Sequence, residues 1–253
     1  MRFALLGSGS RGNATLIESG STRLLVDCGF SVKETERRLG RLGLEAGSLS
    51  AILVTHEHND HITGVGALAR KYRLPVWLTP GTHSRGKTGE VPVQHFLNCH
   101  ADFAIGDIGI HPFPVPHDAR EPCQFVFNDG SRRLGLLTDT GRSTPHIEEQ
   151  LGSCDALILE CNHDAQMLMD GPYPPSLKQR VGGGLGHLSN AQAAALLAGI
   201  EAGALQHIVA AHLSEQNNRP ELAAAALSGA LNCQHDWIAL ADQELGLDWR
   251  QIS

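Results

Sequence analysis

The densest chemistry in the chain lies in Val54-Thr55-His56-Glu57-His58-Asn59-Asp60-His61, where three imidazoles and a carboxylate fall within six residues. The motif follows directly on the apolar run Ala51-Ile52-Leu53-Val54. Three histidines and an aspartate buried on a core face would each need a hydrogen-bond partner. A solvated loop has no use for this spacing. An H-x-H-x-D-H string is therefore read as a metal site. Its donors are nitrogen and oxygen alone, which suits Zn²⁺, Mn²⁺ or Fe²⁺ and argues against a thiolate zinc finger.

Short apolar runs alternating with helical patterns must position that motif. Residues 2–6, 14–18 and 22–26 read as three strands joined by tight Gly/Ser turns. A helix with a basic face is expected over 32–44, a strand over 50–55 that delivers the motif, a helix over 62–72 and a strand over 75–78. Further strands are expected at 108–115, 123–128, 133–138, 156–159 and 207–211. Ser189 with Gln192 fits a capping box and Gly203 the C-terminal cap of the same helix. Pro220 suits the first turn of another. Leu24-Leu25-Val26-Asp27-Cys28-Gly29 is echoed by Leu136-Leu137-Thr138-Asp139-Thr140-Gly141, which suggests two similar β-rich halves. Two sheets packed together with helices outside satisfy that pattern.

Gly7-Ser8-Gly9-Ser10-Arg11-Gly12 matches the dinucleotide fingerprint on paper, but that mechanism needs a helix N-terminus to receive the pyrophosphate. The β-branched, alternating residues of Asn13-Ala14-Thr15-Leu16-Ile17-Glu18 lead into a strand instead, so the loop is a hairpin lying near the active site. More telling is that Asp27, His56, His117, Asp139, Glu160 and His212 each end an apolar run. A single such Asp is an ordinary turn residue. Six of them, with the histidine motif among them, form one constellation on one rim of the sheets.

Composition narrows the classes. With 253 residues, 42% hydrophobic and 19% charged, the chain has the balance of a globular protein with a sizeable core. No apolar run approaches a membrane span, and the N-terminus breaks into glycines too early for a signal-peptide core. Six cysteines without C-x-x-C spacing suit reduced thiols and a cytoplasmic location. A net charge of −7 disfavours non-specific wrapping of nucleic acid, though not a local basic rim around one phosphate. The run Arg37-Arg38-Leu39-Gly40-Arg41 shares its helix with Glu34 and Glu36, so it reads as a solvated face.

Taken in order, the strand-Asp-Gly start, the histidine motif, a lone later His, Thr138-Asp139-Thr140-Gly141 and a final strand-His resemble the metallo-β-lactamase superfamily. The resemblance runs through nearly the whole chain. It implies an α/β (α+β) fold, an αββα sandwich of two mixed β-sheets flanked by helices, with residues 1–253 as a single domain. It also implies that His56, His58 and His117 bind one metal, that Asp60, His61 and His212 bind a second, and that Asp139 bridges them. Asp27 would steady the ligand loops. Two divalent ions per chain follow, Zn²⁺ or Mn²⁺ with Fe²⁺ a further fit, sharing a water-derived hydroxide that attacks the substrate.

The C-terminal part resembles the phosphodiesterase members, where a Glu–His pair assists the leaving group; Glu160 and His187 occupy the matching places. Gly-Ser-Gly-Ser, Glu160–Asp164, Gly171–Arg180, Gly186-His187-Leu188-Ser189-Asn190 and His212-Leu213-Ser214-Glu215 are similar to the small bacterial YycJ (WalJ) branch, described as DNA exonucleases. Asp60, Glu160 and His187 are the catalytic residues so implied. Either His163 or Asp164 is expected to face the site, His163 as a support behind the ligands. Lys178 and Arg180, the nearest basic residues to His187 in sequence, are candidates to grip a phosphate. The remaining histidines have no matching role.

The chain departs from its larger relatives in lacking the tRNA-gripping arm of ribonuclease Z, the extra nuclease domain of the β-CASP enzymes and the helical domain of glyoxalase II. The expected activity is a two-metal phosphodiesterase or exonuclease acting on nucleic acid, at DNA ends. The alternative is hydrolysis of a small cyclic phosphate, thioester or lactone, favoured by the −7 charge and the absent recognition domain. A diiron redox protein would place a carboxylate where His58 stands. Oligomeric state is left open.

Overall fold

Strands that are covered on both faces lose the alternation of polar and apolar residues, and Phe3-Ala4-Leu5-Leu6, Leu24-Leu25-Val26 and Leu157-Ile158-Leu159 are buried throughout. The structure is a computed structural model and describes residues 1–253. Strands β1 (Arg2–Gly7), β2 (Ala14–Ser19) and β3 (Thr22–Val26) form an antiparallel meander, followed by helix α1 (Val32–Arg41) and β4 (Ala51–Leu53). Helices α2 (Asn59–Ile62) and α3 (Val65–Tyr72), strand β5 (Pro75–Leu78), helix α4 (Pro80–Arg85) and β6 (Val93–Phe96) complete the first half.

The second half runs through β7 (Phe103–Ile105), β8 (Ile108–Pro114), β9 (Cys123–Asn128), β10 (Arg133–Leu137), α5 (Pro145–Leu151) and β11 (Ala156–Glu160). Helices α6 (Ala165–Asp170), α7 (Pro175–Val181) and α8 (Asn190–Gly199) precede β12 (His207–Ala211), α9 (Pro220–Leu231) and β13 (Ile238–Leu240). Strand β14 (Leu247–Gln251) crosses back to pair antiparallel with β1. The two mixed seven-stranded sheets have the orders β14-β1-β2-β3-β4-β5-β6 and β13-β12-β11-β10-β9-β8-β7.

Between the sheets lies one apolar layer that joins Phe3, Leu5, Leu24 and Leu53 to Phe125, Phe127, Leu136 and Ile158. A second layer packs α5, α8 and α9 on the outer face of one sheet, and a third packs α1 and α3 on the other. This is the expected αββα sandwich. The sequence echo has a structural counterpart as well. Strands β3 and β10 each pair antiparallel with the preceding strand and parallel with the following one. Each is therefore the strand at which its sheet changes sense.

Several element ends differ from the sequence expectation. Helix α1 stops at Arg41 because Gly43 takes φ +74° and Leu44 N–H bonds back to Leu39 O at 3.0 Å. The helix expected over 62–72 is two helices, broken at Gly64, whose N–H donates to Cys28 O at 2.7 Å. The first of them begins inside the histidine motif. Helix α8 ends at Gly199 rather than near Gly203, since Ile200 turns extended into the apolar layer and Glu201 O accepts from Ser153 N at 3.0 Å. In the basic run of α1, Arg37 and Arg41 are exposed as expected of a solvated face, but Arg38 is buried, donates to Leu6 O and Gln243 O and lies over the Phe30 ring.

The motif's backbone is gripped by two segments that are themselves tied together. Asn13 N donates to Asp60 O (2.8 Å), Cys28 N to His61 O (2.7 Å) and Gly29 N to Asn13 O (3.0 Å). A Cβ at Gly29 would stand 1.9 Å from Asp60 O. Gly29→Ala is accordingly expected to lower the urea midpoint, with a cost of about 1–3 kcal/mol as for other overpacked positions. Gly40→Ala, on an exposed helix position with nothing near its Cβ, should instead add about 0.5–1 kcal/mol. Equal midpoints for the two variants would show that the Asp60 backbone is not fixed by this contact.

Candidate metal centre and its cleft

Strand ends deliver the polar residues to one rim. Asp27 follows β3, Asp139 follows β10 and His212 follows β12, and all three hold a left-handed backbone with φ 61°, 54° and 55°. Left-handed non-glycine residues cost roughly 1–2 kcal/mol each, so their clustering here is a mark of a functional site. His56 and His58 leave β4, whereas Asp60 and His61 lie in the single turn of α2.

Around these ligand-type side chains sits a frame of hydrogen bonds. Asp27 accepts from Thr55 N and Thr55 Oγ1, both at 2.8 Å, and its Oδ2 lies 2.8 Å from His61 Nδ1. Thr55 Oγ1 also lies 2.9 Å from His56 Nδ1. His117 Nδ1 lies 3.0 Å from Gly186 O. One nitrogen of each of these imidazoles is thus engaged by the protein, which orients the other as a ligand would need.

The free atoms converge. His56, His58 and His117 have ring nitrogens within 4.8 Å of one another, as do the ligand atoms of Asp60, His61 and His212 and those of His56, His61 and Asp139. Asp139 Oδ2 stands 3.0 Å from His61 Nε2, and its Oδ1 3.5 Å from His212 Nε2 and 3.9 Å from His117 Nε2. Thus Asp139 touches both groups of histidines.

Divalent cations fit this donor set on two independent grounds. His56 Nε2 is buried without any hydrogen-bond partner, which costs free energy unless something else binds it, and Asp139 Oδ2 is approached only by His61 Nε2, itself a ligand-type nitrogen. The electrostatics agree. Burial pushes His56 well below the usual histidine range, and the charge of His61 adds to that. Burial opposes charge on His61 too, but Asp139, Asp60 and Asp27 outweigh it and hold the imidazole well above its ordinary value. Burial likewise disfavours ionised Asp60, yet His61 and His212 keep its carboxyl well below the carboxylate range. The carboxylates thus demand positive charge at the points where the ligand-type atoms meet.

His187 and Glu160 stand beside this cluster. Glu160 is fully buried, accepts from Leu188 N (3.0 Å) and Thr140 N (3.1 Å), and holds His187 Nδ1 at 2.7 Å. His187 also lies 3.3 Å from Asp139 Oδ1, and Asp139, Glu160, His187 and His212 form a further close grouping. Both groupings open on a cleft of about 360 Å³ lined by Ser10, Asp60, Asp118, Tyr173, Arg180 and His187 among others.

Sequence expectation and structure part company around α6 and α7. Neither His163 nor Asp164 lines the cleft: Asp164 caps α6 by accepting from Met167 N, and His163 lines a separate cavity of about 790 Å³. The side chain that does face the centre is Asn162, whose Nδ2 donates to His212 O at 3.0 Å and lies 3.2 Å from His212 Nδ1. Lys178 points into that other cavity and donates to Met169 O, so it is removed from the phosphate role expected of it. Helical geometry is the reason, because residues two apart face different sides. Arg180 does line the cleft, bonded to Asp118.

Some residues carried no sequence signal. Asp118 Oδ1 lies 3.5 Å from His117 Nε2 and 3.7 Å from His58 Nε2, which makes it a link between Arg180 and the histidines. Asn13 Nδ2 lies 3.3 Å from Asp60 Oδ2 and 3.2 Å from His61 Nε2. The Gly-Ser loop is folded round Asn13, and Ser8 Oγ accepts from His212 N at 2.8 Å. The loop is a hairpin at the site, as expected, and not a nucleotide cradle.

The family model described as "Beta-lactamase superfamily domain" matches residues 22–209. The chain is 40% identical over 235 residues to exodeoxyribonuclease YycJ of Bacillus anthracis, covering 91% of this chain and 89% of that protein. Identity to exodeoxyribonuclease WalJ of Streptococcus pneumoniae is 35% over 255 residues, 98% of this chain and 92% of that one. Among solved structures, the metallo-β-lactamase fold protein YhfI of Bacillus subtilis superposes with a TM-score of 0.73 at 17% identity, over 99% of each chain.

Burial alone would lower the His187 pKa, but the charge and hydrogen bond of Glu160, then Asp139, raise it to about 9. The folded value lies above the ordinary histidine value of about 6.5. In metal-free protein this stabilisation is therefore complete below about pH 6.5 and lost as pH rises through about 9. A histidine NMR titration of chelated protein should find that high midpoint, and Glu160→Gln should bring it down. A His187 midpoint near 6.5 in the unsubstituted protein would contradict the pairing.

Proposed function

Because the chain belongs to the metallo-β-lactamase superfamily and is a metal-dependent hydrolase, we propose that it cleaves phosphodiester bonds of nucleic acid, at DNA ends, on a two-metal centre. The observation that carries this reading is the His187–Glu160 pair, 2.7 Å apart, set against Asp139 and opening on the cleft. Hydrolysis of a lactam or thioester has less need of such a proton donor than expulsion of a sugar alkoxide does. Two relatives named exodeoxyribonucleases, matched over about nine-tenths or more of this chain, agree with it.

In this reading His56, His58 and His117 hold one divalent ion, Asp60, His61 and His212 the other, and Asp139 both. Zn²⁺ or Mn²⁺ suits these nitrogen and oxygen donors. Bound there, the ions supply an activated water and positive charge facing the phosphate oxygens. The protein's own residues do the rest. Asp27 and Thr55 fix His56 and His61, Asn162 fixes His212, and Asn13 steadies Asp60. Arg180, held by Asp118, presents its guanidinium to an entering phosphate. The attacking water gives up one proton to solvent on activation; as its oxygen bonds to phosphorus, the P–O bond to the departing strand breaks and His187 gives its proton to the leaving oxygen of that strand. Glu160 keeps the imidazole oriented and favours its protonated form. Residues 1–253 act as one domain, since the apolar layer between the sheets draws on both halves of the chain.

A second reading, hydrolysis of a small phosphodiester, is favoured by the cleft itself, which at about 360 Å³ is at the small end of ligand pockets. The experiment that separates the two is activity of purified, Zn²⁺- or Mn²⁺-loaded protein on end-labelled DNA and RNA beside a nitrophenyl phosphodiester. No helix is long and apolar enough to cross a membrane.

Elemental analysis of loaded protein is expected to give about two metals per chain. Asp139→Ala should lose both ions, and His56→Ala chiefly one; retention of both by Asp139→Ala would refute the bridging role. His187→Ala is expected to keep both ions but to lose about 10²–10⁴-fold in rate on DNA, the usual contribution of a general acid. On a nitrophenolate ester, whose leaving group needs no proton, the loss should be much smaller. Equal losses on both substrates would make His187 a ligand or a structural residue instead.

A further inference from the structure

The cleft is lined by fifteen residues, of which only Tyr173, Leu177 and Val181 are apolar. All three come from one segment, the turn before α7 and α7 itself. Leu177 and Val181 stand four apart on one face of α7, and Tyr173 reaches the same cleft from the turn before it. Lys178, Gln179 and Gly182 of the same segment line the cavity on the opposite side. The apolar surface of the cleft that holds Asp60, Asp139 and His212 therefore comes from this one segment, which also carries Arg180.

Tyr173 is the only aromatic ring in the cleft other than the imidazoles. Its backbone is restrained on both sides, because Pro172 precedes it and Pro174 and Pro175 follow. A residue before proline is biased to extended backbone, so the segment that carries the ring has less backbone freedom left to lose on binding. Flat aromatic platforms beside a phosphate-binding site are how proteins hold unpaired bases without reading their sequence.

We propose that Tyr173, backed by Leu177 and Val181, is the platform on which the base of the nucleotide being cut stacks, so that the enzyme takes an unpaired strand end of any sequence. The proposal rests on the phosphodiesterase reading and adds the form of substrate to it. A cleft of about 360 Å³ holds an object of nucleotide size. A base whose face lies on Tyr173 has left the stack of its own strand, as bases do in enzymes that extrude a single nucleotide for chemistry. The terminal nucleotide must be unpaired before its phosphate reaches Asp60 and Asp139. Tyr173 thus acts by positioning, and its removal should be felt in substrate binding more than in the chemical step.

The test compares metal-loaded wild type, Tyr173→Ala and Tyr173→Phe on three end-labelled oligodeoxynucleotides. One is single-stranded, one is single-stranded with an abasic terminal nucleotide, and one is a duplex with its end covalently cross-linked. For Tyr173→Ala on the first, KM should rise about tenfold to a hundredfold, the range for loss of one stacked base, with kcat within a few-fold. Tyr173→Phe should keep the wild-type KM, which separates the ring from the hydroxyl and from misfolding. The abasic end should show wild type the same KM penalty and leave Tyr173→Ala little changed, and the cross-linked end should resist all three proteins. An unchanged KM for Tyr173→Ala, or ready digestion of the cross-linked end, would overturn the platform while leaving the phosphodiesterase reading intact. If wild type cuts no DNA but does cleave the nitrophenyl ester, the nucleic-acid reading falls and the platform with it.

Discussion

Everything in this molecule is arranged around carboxylates that have been taken out of water. Asp27, Asp139 and Glu160 are buried almost completely, and Asp60 stands close beside them. An unpaired carboxylate in such a place would be protonated or would unfold its surroundings. Here each is matched by donors of fixed position: Asp27 by Thr55 and His61, Glu160 by two backbone amides and His187. Asp139 is left under-matched, with imidazoles alone around its two oxygens and no backbone or hydroxyl donor. The two sheets supply the rigidity this requires, because neighbouring parallel strands end at one rim and leave their terminal side chains little room to retreat.

How much of this could be read from the chain depended on the range of the interaction that decides it. Strands buried on both faces announce themselves through unbroken apolar runs, and half-buried ones such as β5 and β8 through alternation, so β1 to β5 and β8 to β12 were legible nearly to the residue. The H-x-H-x-D-H string was legible because local spacing alone brings its donors together. The Asp27 and Asp139 echo was legible too, and its structural sense is that β3 and β10 occupy equivalent places in their sheets. Helix ends were read less well, since Gly43 and Ile200 end their helices through contacts with other parts of the chain.

The choice among neighbouring polar residues was not legible. Within Asn162-His163-Asp164 the chemistry-rich residues are His163 and Asp164, yet the side chain that meets the centre is Asn162. Between Lys178 and Arg180 only the rotation of a short helix decides which side each takes. Asn13 and Asp118 were missed for a related reason. Their roles come from atoms far away in sequence, Asp60 and His61 for one and His58, His117 and Arg180 for the other.

The three left-handed residues have a consequence for anyone who would build this site elsewhere. Asp27, Asp139 and His212 turn the chain out of the sheet in a conformation that L-amino acids avoid, yet their side chains forbid the glycine that would relieve it. Idealised scaffolds are designed without non-glycine residues at positive φ. Transplanting the ligand side chains onto such a scaffold would reproduce their identities and not their directions. A faithful graft has to carry the awkward strand exits as well, and the host must be stable enough to tolerate three of them along one edge.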